Sequence, residues 1–429
     1  MKLDRRHFLQ SAVLATAGAS AARAEEPSMR RWTEQRWVLD NIIAANGLDW
    51  DQPRTGGLIA AMGPESQADI AGIRARVKKY ADIAPAFEAV ARRREAKARE
   101  AEAAKALVTA RENYYMAAQH WGSAQWPIDE NSAQNQLYND KKRETFTAYL
   151  RHADRRIEPV WIPFRGKNLP AWFHLPPGYQ GGRIPAVLAI PGMDSFKERT
   201  VALYGDRWLN RGVAVLAVEG PGQYECPLLG IYMSNDGWAE AARAFFDWMA
   251  ARPEIDPEKI GITGVSFGSY CGTIVAGAEP RFRACALSGT HHEPGGFVHD
   301  EEASPTFKRR FMYMSGYTDE AKYDAFAKSL TLDAYAEKIR MPYLCLAGEF
   351  DELSPMRYTE ELFARLKGPK RLVVYQDSRH SVGGVPSANL GPFPATLVAD
   401  WMVSQFDGAE FASERWFVEA TGRVVKTAL

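Results

Sequence analysis

Gly264-Val265-Ser266-Phe267-Gly268 follows the apolar run Ile260-Gly261-Ile262-Thr263 and opens the small-residue stretch 269–278. The pattern predicts a strand, a tight turn and a helix built around one serine, the arrangement called a nucleophile elbow. A glycine on either side lets the backbone make a turn that a Cβ would obstruct, and the turn lifts the serine oxygen to where a base can reach it. With Gly and Ser at roughly 7% of residues each, the bare pattern arises by chance about 0.1 times in a chain of this length, so its surroundings carry the reading.

Two partners follow downstream. Met341-Pro342-Tyr343-Leu344-Cys345-Leu346-Ala347-Gly348 has the pattern of a buried strand and runs into Glu349-Phe350-Asp351, which puts a carboxylate in the loop leaving that strand. Asp351 is the predicted acid, with Glu349 and Glu352 as its rivals. The next strand, Arg371-Leu372-Val373-Val374-Tyr375, leads into Gln376-Asp377-Ser378-Arg379-His380, so His380 stands on a loop at the same sheet edge. The chain order Ser, Asp, His is that of α/β-hydrolases and differs from the orders of chymotrypsin-like and subtilisin-like enzymes.

Chemistry assigns the roles. A serine hydroxyl is a weak nucleophile at neutral pH, so His380 takes its proton during attack and returns it to the leaving group, while Asp351 holds the imidazole tautomer. The tetrahedral oxyanion then needs backbone donors. One is the N–H after the nucleophile, on Phe267. The second is expected after an earlier strand, where Pro185-Ala186-Val187-Leu188-Ala189-Ile190 runs into Pro191-Gly192-Met193-Asp194 and nominates the Met193 N–H. Loss of one such donor typically costs roughly 3–4 kcal/mol of transition-state stabilisation.

The N-terminus speaks to location. Asp4-Arg5-Arg6-His7-Phe8-Leu9-Gln10 is a twin-arginine pattern, followed by the mildly apolar stretch 11–21 and the small-x-small site Ala22-Arg23-Ala24. Residues 1–24 are therefore expected to be a signal peptide that sends a folded protein to the periplasm or outside. The apolar stretch is shorter than the about 20 residues of a membrane span. Lys plus Arg and Asp plus Glu number 53 each, and removal of residues 1–24 takes four basic and one acidic residue, leaving 49 against 52. That balance offers no electrostatic attraction to nucleic acid or to an anionic membrane.

The four cysteines form no disulfide framework: Cys285 and Cys345 fall in predicted strands, Cys271 in the helix behind the serine and Cys226 in a loop. No metal is expected, since His291-His292-Glu293 with His299 and Asp300 lacks a helical pair of histidines four residues apart. The chemistry calls for no cofactor.

The chain divides into residues 1–24, a helical region 25–155 and an α/β region 156–429. Between Gln67 and Gln119 apolar residues recur at helical spacing, as in Ile70, Ile73, Val77 and Tyr80, then Phe87 and Val90, and the run Arg92-Arg93-Arg94-Glu95 reads as a solvated helix face. From about Ile157 eight short β-rich runs alternate with helices, which predicts a mostly parallel eight-stranded sheet with helices on both faces. No internal repeat is visible, which argues against a propeller-bearing peptidase. Residues 289–332 follow a strand and read as a lid insertion. Its His291, Glu293 and Tyr313, with His292, Phe307, Phe311 and Tyr317, shape a substrate pocket or pack the insertion onto the sheet. Tyr114, Tyr115, His120, Trp121 and Trp126 likewise roof the site or pack the domain interface.

Pro191-Gly192-Met193-Asp194-Ser195-Phe196-Lys197-Glu198, Glu219-Gly220-Pro221-Gly222-Gln223, the elbow, Asp351 and His380 together resemble the α/β-hydrolases that carry a helical N-terminal domain. That group includes 2,6-dihydroxypseudooxynicotine hydrolase, fungal polyketide-shortening hydrolases and, more distantly, the fermentation-respiration switch protein. Tyr224 departs from the pattern, standing where the loop commonly has another glycine. The resemblance implies either ester cleavage or carbon–carbon cleavage in 1,3-dicarbonyl compounds, and a homodimer. It also implies an extra lid acid in the carbon–carbon hydrolases, for which Glu293 is the nearest candidate. A small-molecule carbonyl substrate is thus expected. Cleavage of an ester or lactone through an acyl-enzyme on Ser266 leads, because it needs only the three side chains and the oxyanion donors. Retro-Claisen cleavage of a 1,3-diketone, and a binding protein that retains the fold without catalysis, are the alternatives.

Overall fold

Runs of apolar residues with no polar alternation belong to strands covered on both faces, and the centre of this sheet is made of them. The computed structural model describes residues 30–296 and 305–429. The twin-arginine segment, and within the insertion His299 and Asp300, lie outside the described residues.

Six helices come first: α1 (Arg30–Asn46), α2 (Arg54–Met62), α3 (Gln67–Arg76), α4 (Ile83–Ala103), α5 (Leu107–Gln125) and α6 (Ala133–Leu150). On α4, Ile83, Phe87, Val90, Ala91 and Ala98 are buried, which is the stripe that helical spacing requires. The Ser132 hydroxyl caps α6 by accepting from the Asn135 N–H at 3.3 Å. The charge run on α4 departs from expectation in part. Arg92 and Arg93 are solvated, but Arg94 and Glu95 are buried. Arg94 donates to Asp69 at 2.5 Å and to Asn113 at 2.8 Å, so this part of the run is an internal tie between helices.

The sheet follows: β1 (Ile157–Phe164), β2 (Lys167–His174), β3 (Ile184–Ile190), β4 (Ala214–Val218), β5 (Ile255–Val265), β6 (Ala284–Ser288), β7 (Tyr343–Gly348), β8 (Lys370–Tyr375), β9 (Glu414–Val418) and β10 (Val424–Ala428). Their order is β1-β2-β4-β3-β5-β6-β7-β8-β9-β10. From β4 through β9 every pairing is parallel, and the β1–β2, β2–β4 and β9–β10 pairings are antiparallel. All eight expected strands are present, and β9 and β10 extend the sheet to ten. From β3 the chain moves to β4 on one side and then to β5 on the other. Loops leaving β3 and β5 therefore diverge, and a crevice opens at the carboxyl ends of these neighbouring strands. Cys226 lies in the short helix Glu225–Leu228 (α7) rather than in a loop, and all four cysteines are free and buried. Among the described residues no helix is long and apolar enough to cross a membrane.

Buried charge joins the two regions. Lys142 of α6, Lys197, Glu198, Glu219 and Glu225 are all at most 2% exposed. Lys197 Nζ stands 3.1 Å from Glu198, 3.1 Å from Glu219 and 2.8 Å from Glu225. Lys142 Nζ stands 3.7 Å from Glu198 and 3.6 Å from Glu219. Burial alone would pull the Lys197 ammonium down, but the three carboxylates outweigh it and hold its pKa well above the ordinary range. Without Lys142, three buried carboxylates would be left to Lys197 and the rim residue Arg143. Lys142→Met is expected to cost about 3–5 kcal/mol in urea unfolding, since a buried ion loses its counter-charge; a change below about 1 kcal/mol would show that the network does not hold the regions together.

Candidate active site

The elbow is formed where β5 meets the helix Phe267–Ala278 (α8), with Ser266 at φ 58° and ψ −125°. Its N–H donates to the Ser288 carbonyl at 3.0 Å and the Gly289 carbonyl at 2.8 Å. A Cβ on Gly264 would sit 2.2 Å from the Gly268 carbonyl oxygen, and one on Gly268 would sit 2.3 Å from that of Ile190. Both glycines are therefore required by backbone packing.

Loops after β7 and β8 bring the other two side chains to the serine. Ser266 Oγ lies 2.7 Å from His380 Nε2. His380 Nδ1 lies 2.9 Å from Asp351 Oδ2 and 3.1 Å from Oδ1. Asp351 Oδ1 also accepts from the N–H groups of Leu353 and Ser354, each at 3.0 Å, which fixes the carboxylate. A carboxylate can only accept, so Nδ1 carries the proton and Nε2 is left to accept from the serine hydroxyl. The rivals are engaged elsewhere: Glu349 accepts from the Asp377 N–H at 3.0 Å, and Glu352 faces Arg379 at 3.7 Å.

Met193 and Phe267 both line a cavity of about 460 Å³ together with Ser266 and His380. A Cβ on Gly192 would lie 3.2 Å from Ser266 Cβ, so the turn after β3 runs directly beside the nucleophile. Phe267 opens a helix, where the N–H has no partner within the helix. Among the described backbone hydrogen bonds, neither the Met193 nor the Phe267 N–H is used.

The lid residues separate. His291 lines the cavity, with Phe307 and Phe311. Burial, with the nearby charges of His380 and His292, pushes the His291 pKa to about 3, so its ring is neutral. Glu293 is 2% exposed and lies behind the wall, Oε1 3.4 Å from His291 Nε2. Burial pushes the Glu293 carboxyl up to about 8, so it is protonated at neutral pH. Tyr313 is not on the cavity wall: its hydroxyl donates to Asn131 at 2.8 Å and accepts from Asn135 at 2.9 Å, tying the insertion to the segment around the start of α6. Among the described residues no three His, Cys, Asp or Glu side chains converge to hold a metal ion.

Sequence reasoning missed the helical region's share of the wall, Gln52, Pro53, Arg54, Gly57 and Ala61. Arg54 lies between the rings of Trp50 and Trp126, at 4.7 and 4.8 Å from their centroids. Its Nε donates to Asp194 Oδ2 at 3.0 Å, and Trp126 Nε1 donates to Asp194 Oδ1 at 2.8 Å. Trp126 thus serves the domain interface and grips the residue next to Met193. The acidic residue after Pro191-Gly192-Met193 was the available signal, but nothing local identifies a partner 140 positions away.

Burial disfavours the His380 imidazolium, but the Asp351 charge and its hydrogen bond outweigh that and leave the pKa raised. A base must be unprotonated to act, so activity is expected to fall on acidification through an apparent pKa above about 6.5. Asp351→Asn is expected to move that limb to lower pH and to reduce the plateau rate by about 10³–10⁴-fold. A pH–rate profile with an unmoved limb would remove Asp351 from the relay.

The sequence matches the esterase FrsA-like family over residues 84–315, just over half of the chain, and the prolyl oligopeptidase family over residues 236–408. It is 32% identical over 220 residues to the α/β-hydrolase ucsC of an Acremonium species, covering 46% of this chain and 44% of that protein, so the chain spans under half of that relative's length. It is 27% identical over 386 residues to the α/β-hydrolase psoB of Aspergillus fumigatus, covering 83% and 84% of the two chains. The crystal structure of 2,6-dihydroxy-pseudo-oxynicotine hydrolase superposes with a TM-score of 0.70 at 24% identity, over 83% of this chain and 97% of that one, a likeness of fold. The FrsA-like match begins within α4 and runs through the elbow, and the chain belongs to the FrsA-like esterase family of α/β-hydrolase enzymes.

Proposed function

We propose that this enzyme cleaves a carboxylic ester or lactone through an acyl-enzyme on Ser266. The observation that carries the reading is the 2.7 Å approach of Ser266 Oγ to His380 Nε2, with Nδ1 held by Asp351. Ser266 Oγ attacks the carbonyl carbon as its proton passes to Nε2, and the oxyanion accepts from the Met193 and Phe267 N–H groups. Collapse breaks the carbon–oxygen bond, and the leaving alkoxide takes the proton from Nε2. Water then attacks the acyl-serine, gives a proton to Nε2, and the carboxylic acid departs as Ser266 recovers its hydrogen. The cavity's volume suits a small molecule. In the same proposal, residues 1–24 export the folded enzyme.

Glu293 supports a second reading, hydrolysis of a carbon–carbon bond in a 1,3-diketone. The leaving group would then be an enolate whose carbon needs a proton, and a buried acid that is neutral at pH 7 is suited to supply one through His291. Ester cleavage has no such need.

A fluorophosphonate is expected to label the wild type and to leave Ser266→Ala unlabelled. The same variant is expected to lose at least about 10³-fold in kcat on p-nitrophenyl esters. An aryl 1,3-diketone assayed beside them ranks the readings: diketone turnover far above ester turnover would put carbon–carbon cleavage first. A folded wild type that takes no label would contradict both.

A further inference from the structure

The cavity beside Ser266 contains a cation with no carboxylate against it. Arg199 ends the 3₁₀ turn Lys197–Arg199 and lines the cavity. Its Nη2 donates to the Arg54 carbonyl at 3.3 Å, the one hydrogen bond described for a guanidinium that carries five N–H donors. The carboxylates nearby are already spent. Both oxygens of Asp51 bond to Arg54, and the two oxygens of Asp194 serve Trp126 and Arg54. Among the described residues no acid forms an ion pair with Arg199. Beside it, Thr200 lines the same cavity, and its hydroxyl is buried with no hydrogen-bond partner.

A guanidinium withdrawn from water without a counter-charge is costly, and so is a buried hydroxyl without a partner. Burial accordingly pushes the Arg199 pKa below its ordinary value, with Tyr224, Tyr115 and Asp194 acting in the opposite direction. Arg54 contrasts with it: that cation is neutralised by two acids and held between two indoles. One arginine of this wall is built into the protein, and the other is left facing the space a substrate would fill.

We propose that Arg199 and the Thr200 hydroxyl form an anion-recognition subsite, and that the substrates are carbonyl compounds bearing a second, non-reacting carboxylate. The planar fork of Arg199 is matched to a carboxylate, which accepts two parallel N–H bonds, and the Thr200 hydroxyl adds a third donor. The reacting carbonyl sits at Ser266 while the spectator carboxylate sits at Arg199. This rests on Ser266 being the nucleophile, and it adds the charge of the substrate to that reading.

The test compares p-nitrophenyl hemiglutarate, which carries a free carboxylate, with its neutral methyl ester. The wild type is expected to favour the anionic ester by about tenfold or more in kcat/KM, chiefly through a lower KM. Arg199→Met is expected to lose at least about tenfold more on the anionic ester than on the neutral one, and Arg199→Lys, which keeps the charge, to recover part of the difference. A wild type that does not distinguish the two esters would overturn the subsite without any variant being needed. Equal losses on both esters in Arg199→Met would also overturn it, assigning the residue to the packing of α2 instead. These failures leave fluorophosphonate labelling of Ser266 intact, whereas absence of both labelling and ester turnover would remove the nucleophile as well.

Discussion

The whole site depends on one residue held in a backbone conformation that side chains normally avoid. Ser266 has φ 58° and ψ −125°, a state that costs of the order of 1–3 kcal/mol and persists only where the surroundings over-determine it. Here they do. β5 is clamped between β3 and β6 in parallel register, the Ser266 N–H is shared by two carbonyls of the strand end beside it, and the carbonyls of Ile190 and Gly268 approach too closely for any residue but glycine at positions 268 and 264. A relaxed turn would return the hydroxyl toward the sheet, and the 2.7 Å approach to His380 would be lost.

The same constraint explains why the helical region belongs to the site. The crevice between β3 and β5 is open at the carboxyl ends of the strands, and the turn bearing Met193 forms one of its lips. Within the α/β region that turn is held by Gln223, whose Nε2 donates to the Pro191 carbonyl at 2.7 Å. From the helical region Asp194 is gripped by Arg54 and Trp126, and Lys197 and Glu198 enter a buried charge network completed by Lys142. In the proposed reaction, a Met193 N–H aligned before substrate arrives needs no reorganisation at the moment of reaction, which is where an oxyanion donor gains most of its effect. The cost is several buried ions, each acceptable only because every carboxylate in the network has a cation within reach.

Much of this was legible in the sequence, for reasons that also mark the limit of legibility. Strands β3, β4, β6 and β7 are short and almost wholly apolar, because both faces are covered, β5 and β8 carry apolar runs of the same kind in their later halves, and all of them stand out against the helices between them. Ser266 follows β5 directly, and Asp351 and His380 stand on the loops leaving β7 and β8, so their common edge could be inferred without knowing the register. β9 and β10 escaped notice: Glu414–Val418 and Val424–Ala428 lie at the sheet's margin, partly or largely exposed, and their mixed composition resembles a polar tail. The charge run at Arg92 was misjudged at Arg94 and Glu95 because a charged residue reads as solvated until its partner is known, and Asp69 and Asn113 lie elsewhere in the chain. For Tyr313 the sequence leaves pocket and packing roles open, and its hydroxyl is committed to Asn131 and Asn135, which ties the insertion to the helical region instead of lining the cavity. Arg54 and Arg199 were invisible as wall residues for the same reason: which arginine has a carboxylate is a fact of three dimensions.

In the proposed reaction a strained turn presents Ser266 to a histidine that takes its proton, so that a covalent acyl-serine forms and is then hydrolysed. The most direct measurement is peptide mass spectrometry after rapid acid quench of the wild type mixed with an excess of an activated ester. The peptide containing Ser266 is expected to gain the mass of the acyl group within the first turnover and to lose it when the ester is exhausted. Steady turnover with no adduct, or an adduct on any other residue, would contradict the proposed reaction.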